Sequence, residues 1–277
     1  MVYWQKKAGD DCTVKEKILA CLPPDYPWAE YLHWYDSVGS TNDVLKQLAL
    51  NGAPEGTAVL AARQTNGHGR MGRSFHSPAG KGVYLSLLLR PDCDPNQLLH
   101  LTCAVGVAMC RALEESTGLR PGIKWTNDLV YGKRKLGGIL TTLGLTSDHR
   151  VDYAITGIGI NCFQQLPDFP RELQGTATSL SMLTDEPVAD EAVAASMLVQ
   201  LHAMSDGLFS QKQQLMDSYR SRCITLGQQI SLVRGNELRH GTAVDVDADG
   251  ALVVDFGGHL ETVSSGEVSV RGMYGYV

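Results

Sequence analysis

The hydrophobic period of the chain changes near residue 225, and this change limits the possible folds more than any other feature. Before it, segments with apolar residues at helical spacing alternate with continuous apolar runs typical of buried strands. After it come five short alternating segments within about 50 residues, separated by turns such as Asp249-Gly250 and Gly257-Gly258. Such a tail is typical of a small β-barrel. The sequence therefore predicts an α+β body followed by a small β unit.

Composition excludes several classes of protein. The 277 residues carry 24 Lys and Arg against 30 Asp and Glu, a net charge of −6, so we expect no nucleic-acid partner. No apolar run approaches the roughly 18 residues of a membrane helix, and the first residues lack the apolar core of a signal peptide. The seven cysteines include no C-x-x-C pair, which favours a reduced, cytoplasmic protein without membrane association.

Charge is distributed unevenly along the chain. Residues 56–91 contain no Asp or Glu, so this segment carries +5 and the remainder of the chain −11. Its five cations are Arg63, Arg70, Arg73, Lys81 and Arg90. A local basic segment on an acidic protein favours a site for a small anion. A solvated basic loop remains the alternative interpretation.

The body is predicted to mix helices and strands. Residues 1–36 form an irregular arm with one short helix within 13–22, and a helix capped by the Ser40 hydroxyl stops at Asn51-Gly52. Further helices are predicted over residues 94–118, with Asp94 as a cap, and as one or two within 187–222. Strands are predicted at 56–64, 82–91 and 151–163, with two more in 122–145 around the turn at 131–133.

A Gly-rich loop follows the first of these strands. Gly67 to Gly72 match G-x-G-x-x-G, and Asp92 lies about 20 residues further on, as in a dinucleotide-binding fingerprint. However, Pro78 and Gly80 keep the following residues from forming the helix that this fingerprint requires. We therefore reject a Rossmann site and predict a mobile loop whose arginines bind phosphate or carboxylate. An ordinary surface loop remains the alternative.

Two further motifs place polar residues beside apolar strands. They are KWTND at 124–128 and KLGGIL at 135–140. Lys135 opens an apolar, Gly-containing strand, where its ammonium could stabilise developing negative charge. A lysine that protects a strand edge is the alternative, and Asn127-Asp128 could form only a turn.

Five motifs in this order resemble those of the biotin protein ligases. They are Ser40-Thr41-Asn42, Gln64 with GHGRMGR (67–73), KWTND, KLGGIL and GIGIN (157–161). The resemblance extends from about residue 33 to 222, and the tail is similar to the family's SH3-like C-terminal domain. It implies an α+β fold in which helices flank a mixed sheet, like the class II aminoacyl-tRNA synthetases. The expected domains are residues 1–222 (arm plus catalytic domain) and 223–277 (SH3-like domain).

The resemblance implies a two-step reaction with biotin and ATP as substrates and Mg²⁺ as the accompanying ion. Biotin is first activated as biotinyl-AMP and then transferred to a lysine of a biotin carboxyl carrier protein or domain. The family's repressors carry an N-terminal DNA-binding domain, for which residues 1–36 are too short, so the ligase-only type is expected. We expect a monomer or a weak homodimer.

The resemblance also assigns residues. Catalytic roles fall to Lys135, Arg70 and Asp128, and Asp128 is the expected neighbour of the metal. The expected biotin contacts are Ser40, Thr41, Asn42, Gln64, His68, Gly69, Arg70, Lys135, Gly138 and Gly157. The expected ATP contacts are Arg70, Arg73, Phe75, Asn127, Lys135 and Asn161.

Three positions depart from the family pattern. His68 stands in place of an arginine, Thr126 in place of a proline and Phe75 in place of a tryptophan. A lipoate ligase or octanoyl transferase is the nearest rival, although the hydroxyl and amide groups of Ser40, Thr41 and Gln64 suit a ureido ring better. Two further rivals are a DNA-binding biotin sensor and a non-catalytic vitamin-binding protein.

Overall fold

A computed structural model describes residues 13–234, 237–265 and 269–272. Its α-helices are α1 (Val14–Cys21), α2 (Thr41–Leu50), α3 (Leu101–Thr117), α4 (Asp190–Gly207) and α5 (Lys212–Arg222). Its first strands are β1 (Leu32–Tyr35), β2 (Ala58–Ala61), β3 (Gly82–Leu89), β4 (Gly122–Lys124), β5 (Asp128–Tyr131), β6 (Arg134–Leu145) and β7 (Val151–Asn161). The last strands are β8 (Gln229–Arg234), β9 (Glu237–Val246), β10 (Leu252–Asp255), β11 (Leu260–Val263) and β12 (Ser269–Gly272).

The first seven strands form one mixed sheet in the order β1-β2-β3-β7-β6-β5-β4. β1 pairs with β2 in parallel, and all the other neighbours are antiparallel. The long strands β3, β7 and β6 lie at the centre, so the polar ends of these strands are brought side by side. The α+β fold with a mixed sheet is therefore confirmed.

Helices cover both faces of this sheet. α2 packs on one face, where Leu45 contacts a cluster that includes Leu88 of β3 and Ile155 of β7. α3 and α4 belong to the larger core on the other face, to which β3 contributes Leu85 and Leu87. Because both faces are buried, β3 is apolar along nearly its whole length instead of alternating with polar residues.

Three predicted elements need correction. The segment 122–145 contains three strands, because Trp125–Asn127 turn the chain back before β5 begins. The helix predicted over 94–118 starts only at Leu101. The Asp94 cap instead begins a short 3₁₀ helix, Pro95–Leu98. The supposedly irregular arm contributes β1 to the main sheet.

The last five strands form a separate antiparallel sheet in the order β11-β10-β9-β8-β12. All five strands predicted for the tail are therefore present. The sheet contacts the body through the indole N–H of Trp125, which donates to the Gly250 carbonyl at 2.9 Å, and through Lys212, whose ammonium lies 2.6 Å from Asp249. The domain boundary at residues 222–223 stays a prediction.

Within the described residues, none of the helices combines the length and the apolar character needed to cross a bilayer.

Candidate active site

A cavity of about 310 Å³ opens at the ends of the central strands, a size within the usual range for small-molecule sites. All fifteen residues that the sequence predicts for the site line it. They are Ser40, Thr41, Asn42, Gln64, His68, Gly69, Arg70, Arg73, Phe75, Asn127, Asp128, Lys135, Gly138, Gly157 and Asn161. Five separate segments therefore meet at one place.

The N-terminus of α2 forms one polar wall of the cavity. The amide N–H of Thr41 donates to Gln64 Oε1 at 2.9 Å, and the Thr41 hydroxyl lies 3.0 Å from the same oxygen. The Ser40 hydroxyl accepts no capping hydrogen bond from the described backbone of this helix, so the predicted hydroxyl cap is wrong. The side chain of Gln64 caps the helix instead. This role places the glutamine amide inside the cavity.

Ser86 of β3 supports this wall and was missed by the sequence interpretation. Its side chain is completely buried, and its hydroxyl lies 2.7 Å from Thr41 Oγ1 and 2.6 Å from Asn42 Oδ1. The signal in the sequence was one serine within the apolar run GVYLSLLL. A polar residue in a buried strand needs a partner, and here its partners are cavity residues.

Two glycines of β7 make room for neighbouring side chains. A Cβ at Gly157 would lie 2.1 Å from Asn42 Oδ1, and one at Gly159 would lie 2.4 Å from the Phe75 ring. Residues two apart on a strand face the same side, so both glycines border the cavity. The motif GIGIN is therefore a flat strand surface against which Asn42 and Phe75 pack.

The Gly-rich loop turns back on itself instead of starting a helix. Gly69 N–H donates to the Arg73 carbonyl at 2.7 Å, and Phe75 N–H donates to the Gly67 carbonyl at 2.8 Å. Between them lies a three-residue 3₁₀ turn, Arg70–Gly72, whose central Met71 has a φ of 56°. The rejection of a Rossmann site is confirmed, because the loop leads into strand β3 and not directly into an α-helix.

Arg70 lines the cavity and is held from two directions. Its Nη1 donates to Asn127 Oδ1 at 3.0 Å, and its Nη2 donates to the carbonyl of Ser265 in the C-terminal sheet region. Burial lowers the pKa of the Arg70 guanidinium below its ordinary value, although an arginine remains charged in a protein. A fixed, partly desolvated cation of this kind binds an anion more strongly than a solvated one.

Lys135 and Asp128 form an ion pair in the cavity, with Nζ 2.6 Å from Oδ1. The backbone of Lys135 is fixed by the segment after β7, because its N–H donates to the Thr176 carbonyl at 2.7 Å and its carbonyl accepts from Thr178 N–H at 2.9 Å. A Cβ at Gly138 would lie 3.2 Å from Lys135 Nζ, so the glycine leaves space for the ammonium. The alternative of a lysine that protects a strand edge is wrong, because Lys135 pairs with Val130 of β5 on one side and with Ala177 on the other.

Asn161 is the last residue of β7 and lines the cavity at that end of the strand. Its Nδ2 donates to the Thr178 carbonyl at 3.0 Å, and its Oδ1 accepts from Gln164 Nε2 at 2.9 Å. The side chain is 5% exposed. Asn161 therefore presents a buried amide of fixed orientation to whatever occupies this end.

The basic segment 56–91 is only partly a cavity feature. Arg70 and Arg73 line the cavity, whereas Lys81 pairs with Asp168 at 3.0 Å. Arg90 lies elsewhere and donates to the carbonyls of Ala49 and Ala53 at the end of α2. The prediction of a small-anion site therefore applies only to the loop arginines, Arg70 and Arg73. The +5 charge of the segment overstates the number of cations available to bind an anion in the cavity.

The His68 side chain contacts α2. Its Nε2 lies 2.9 Å from Asp43 Oδ2 on α2, so it ties the Gly-rich loop to that helix.

One wall of the cavity was not predicted at all: Phe169, Leu173, Thr176 and Ala177 line it from the irregular chain after β7. That stretch has no periodic pattern from which its position could be inferred.

The match to known protein families follows this division of the chain. The Biotin/lipoate A/B protein ligase family model matches residues 34–161, and the Biotin protein ligase C terminal domain model matches residues 225–271. The Bifunctional ligase/repressor BirA of Bacillus subtilis is 35% identical over 246 residues, 87% of this chain and 74% of that protein. The Biotin--[acetyl-CoA-carboxylase] ligase of Mycobacterium tuberculosis is 31% identical over 83% of this chain and 85% of that protein.

A solved structure agrees with these relatives. The Aquifex aeolicus biotin protein ligase in complex with biotin and ATP superposes with a TM-score of 0.74 at 29% identity, covering 87% of this chain and 98% of that one. The likeness extends over nearly the whole of the described fold.

Proposed function

The chain belongs to the biotin protein ligase family, and on this premise we propose that it activates biotin with ATP and transfers it to a lysine of a carrier domain. The observation that carries the proposal is the meeting of all five motifs in one cavity. The cavity combines neutral hydroxyl and amide groups, at the N-terminus of α2, with the cations Arg70 and Lys135. Such a division suits a ligand with a polar, uncharged ring and an anionic tail.

In the first step, a biotin carboxylate oxygen attacks the α-phosphorus of ATP, and the bond to the departing pyrophosphate breaks. The two reactants are both anions, so cations must offset their repulsion and the charge that develops in the transition state. Lys135 and Arg70 supply that charge, since both lie in the cavity and both are fixed by hydrogen bonds. The products are biotinyl-AMP and pyrophosphate.

The ureido ring of biotin is assigned to the α2 wall. Ser40 and Thr41 are 2% and 3% exposed, so their polar groups are largely shielded from bulk water. Hydroxyl and amide groups can both donate to the ureido oxygen and accept from its N–H groups. Asn42, Gly157 and Gly138 continue this wall toward Lys135, which we place beside the biotin carboxylate. His68 and Gly69 close the cavity from the loop.

The nucleotide is assigned to the opposite end. Arg73 and Asn127 are placed at the phosphates, Phe75 packs against the base and Asn161 hydrogen-bonds its edge. The Phe75 ring packs closely against β7 because Gly159 has no side chain. An aromatic ring held in this way offers a surface on which a planar base can stack. These roles are the ones that the family resemblance implies, and all four residues line the cavity.

Magnesium is expected to accompany ATP, and the donor set suits this ion. Asp128 is the one acidic residue that lines the cavity in the described part of the chain, and that part has no cluster of three metal-ligating side chains. Mg²⁺ is commonly held by one or two carboxylates together with substrate phosphates, so Asp128 fits as its protein ligand. When bound, the ion would neutralise phosphate charge.

In the second step, the amine of the carrier lysine attacks the carbonyl carbon of biotinyl-AMP, an amide bond forms and AMP leaves. The amine must lose a proton, and we assign its acceptance to Asp128, which lies in the cavity beside Lys135. The Gly-rich loop borders the cavity and would exclude water that hydrolyses the adenylate.

The carrier domain, rather than nucleic acid, is the proposed partner, in agreement with the net charge of −6. We place the reaction in the cytoplasm, since the six cysteines from Cys21 to Cys223 in the described chain are all free thiols. A monomer or weak homodimer stays a prediction, which sedimentation at several protein concentrations would check.

The proposal is tested by mixing the protein with biotin, ATP and Mg²⁺ and searching for biotinyl-AMP by mass spectrometry. A carrier domain added afterwards should gain the mass of one biotinyl group and release AMP. Formation of a lipoyl or octanoyl adenylate in place of biotinyl-AMP would contradict the assignment of the α2 wall to a ureido ring. Biotin binding without pyrophosphate release would identify a non-catalytic binding protein.

A further inference from the structure

A small cluster of buried amides lies directly behind the nucleotide end of the cavity. Gln164 is completely buried, and its Nε2 donates to Asn161 Oδ1 at 2.9 Å. Its backbone carbonyl accepts from the Ser179 hydroxyl at 2.6 Å. The other side-chain atom, Gln164 Oε1, is buried without a hydrogen-bond partner among the described residues. Burying an unpaired acceptor costs stability, so packing alone does not account for a glutamine here.

The hydrogen bonds of this cluster leave only one orientation for both amides. The Thr178 carbonyl can only accept, so Asn161 must turn its Nδ2 toward it. The Asn161 oxygen then faces Gln164. Gln164 must donate to it through Nε2, because the two amide oxygens would repel each other. Rotating the Asn161 amide by 180° would break both bonds inside a buried site. The order of donor and acceptor that Asn161 shows to the cavity is therefore fixed.

A fixed amide can distinguish purines by the order of their hydrogen-bonding groups. On its Watson–Crick edge adenine offers a donor, the exocyclic amino group, beside an acceptor, N1, and this pair matches an asparagine amide in one orientation. Guanine and hypoxanthine have a carbonyl oxygen in place of that amino group and an N–H in place of the acceptor. They would need the amide of Asn161 turned over. An amide free to rotate would serve both kinds of base.

We propose that Gln164 is a positioning residue that locks the Asn161 amide and so makes the nucleotide site select adenine over bases with the reversed order of donor and acceptor. The inference rests on the proposed function, because it requires ATP at this end of the cavity. Gln164 touches Asn161 and acts through it, since Asn161 lines the cavity and Gln164 lies behind it.

The first measurement uses the unaltered protein and compares ATP, ITP and GTP in biotin-dependent pyrophosphate release. ITP is the informative nucleotide, because hypoxanthine lacks the additional amino group of guanine and differs from adenine in this edge alone. We expect kcat/KM for ITP to fall at least about tenfold below that for ATP, the scale of one lost bidentate pair. Equal use of ATP and ITP would overturn the proposal without any variant.

The second measurement uses Gln164→Met, which keeps the length of the side chain and removes the donor. The preference for ATP over ITP should shrink by about tenfold, with a higher KM for ATP and an unchanged KM for biotin. Gln165→Met is the matched control, because Gln165 is exposed one residue along the chain and its side chain bonds Ser181. It should keep the preference of the unaltered protein.

The outcomes separate the two levels of inference. If Gln164→Met lowers kcat/KM for ATP and ITP by the same factor, Gln164 has only a structural role and the proposal is wrong. An unchanged ATP-to-ITP ratio in Gln164→Met overturns it as well. If the unaltered protein releases no pyrophosphate with biotin and any of these nucleotides, the proposed function itself fails.

Discussion

Lys135 is the residue whose charge the proposed chemistry needs most. Its ammonium pairs with Asp128 at 2.6 Å and is about one-third exposed, so it is reachable by a ligand and yet held in place. We expect Lys135→Ala to lower the rate of adenylate formation by about two orders of magnitude, the usual effect of removing one group that stabilises transition-state charge. The measurement is biotin-dependent release of pyrophosphate from ATP.

Lys133→Ala is the control for this change. Lys133 lies exposed in the turn between β5 and β6, two residues from Lys135, and lies outside the cavity. Lys133→Ala removes the same charge from the same hairpin. It should leave the rate of adenylate formation within about twofold of the unaltered value. Near-normal activity of Lys135→Ala would exclude Lys135 from the chemistry.

Which residues line the cavity could be predicted from the sequence, but their hydrogen-bond partners could not. The order of the motifs predicted that Gln64 lies in the site. Its role as the cap of α2 could not be predicted, because Gln64 is 23 residues from Thr41 in sequence. Ser86 was visible only as one polar residue in an apolar strand. Its value comes from contacts with Thr41 and Asn42, more than 40 residues away in sequence.

At the scale of elements, the site requires that β7 has no side chains at Gly157 and Gly159, where Asn42 and Phe75 pack against the strand. Gly159→Ala would place a Cβ 2.4 Å from the Phe75 ring and so displace the surface assigned to the base. We expect the KM for ATP to rise roughly tenfold to a hundredfold, as for a misplacement of about 1 Å, while the KM for biotin changes little. Steady-state kinetics with each substrate varied in turn measure the difference.

Gly175→Ala supplies the comparison for this strand substitution. A Cβ at Gly175 would meet no described atom within 4 Å, and the residue lies in an exposed turn outside the cavity lining. It should leave both KM values unchanged. Equal effects on the two substrates in Gly159→Ala would show general damage to β7 and contradict the assignment of Phe75 to the nucleotide.

A buried histidine lies at the junction between α3 and α4, and we expect it to make the stability of the fold depend on pH. His100, at the start of α3, is completely buried, and its Nε2 bonds the Leu208 carbonyl at the end of α4. Burial lowers the pKa of His100 below its ordinary 6.5, so the unfolded chain binds a proton more readily than the folded one. The free energy of unfolding should therefore fall as the pH decreases below about 6.5.

Urea unfolding between pH 7 and pH 5 would measure this effect against His100→Gln, which can still donate to the Leu208 carbonyl but does not titrate. The slope attributable to one histidine is at most about 1.4 kcal/mol per pH unit, and the variant should lose it. His240→Gln, at an exposed position on β9, should keep the slope. The same slope in His100→Gln would contradict the explanation.

Element types followed from hydrophobic period far better than their ends did. β3 was predictable because an apolar run of eight residues suits a strand covered on both faces. The start of α3 was not, because Asp94 and Pro95 are sound helix-start signals that begin a 3₁₀ turn instead. The arm strand β1 was also missed, since its partner β2 lies beyond α2 in the sequence.

At the scale of the whole molecule, the C-terminal sheet contacts the catalytic body at a turn that approaches α3. Gly250 ends the turn that begins at Asp247, its carbonyl accepts from the Trp125 indole, and Trp125 in turn lines the cavity. The last turn of α5 adds Arg220, whose Nε donates to the Val246 carbonyl at 2.7 Å. The sequence predicted both units, but not this contact, which depends on surfaces without a periodic signal.

Gly250→Ala tests whether this contact couples the two units. A Cβ at Gly250 would lie 2.8 Å from Cys103 Sγ of α3, and its φ of 87° already disfavours alanine. Gly258 has a φ of 97° in the same sheet, but a Cβ there would meet no described atom within 4 Å, so Gly258→Ala carries the backbone strain alone. We expect Gly250→Ala to lower the free energy of unfolding by about 1–3 kcal/mol more than Gly258→Ala, because overpacking adds to strain.

Gly250→Ala should also raise the KM for ATP, since Trp125 would move with the turn. Urea unfolding and pyrophosphate-release kinetics on both variants provide the comparison, and equal stability of the two would mean that the sheet is not held on α3.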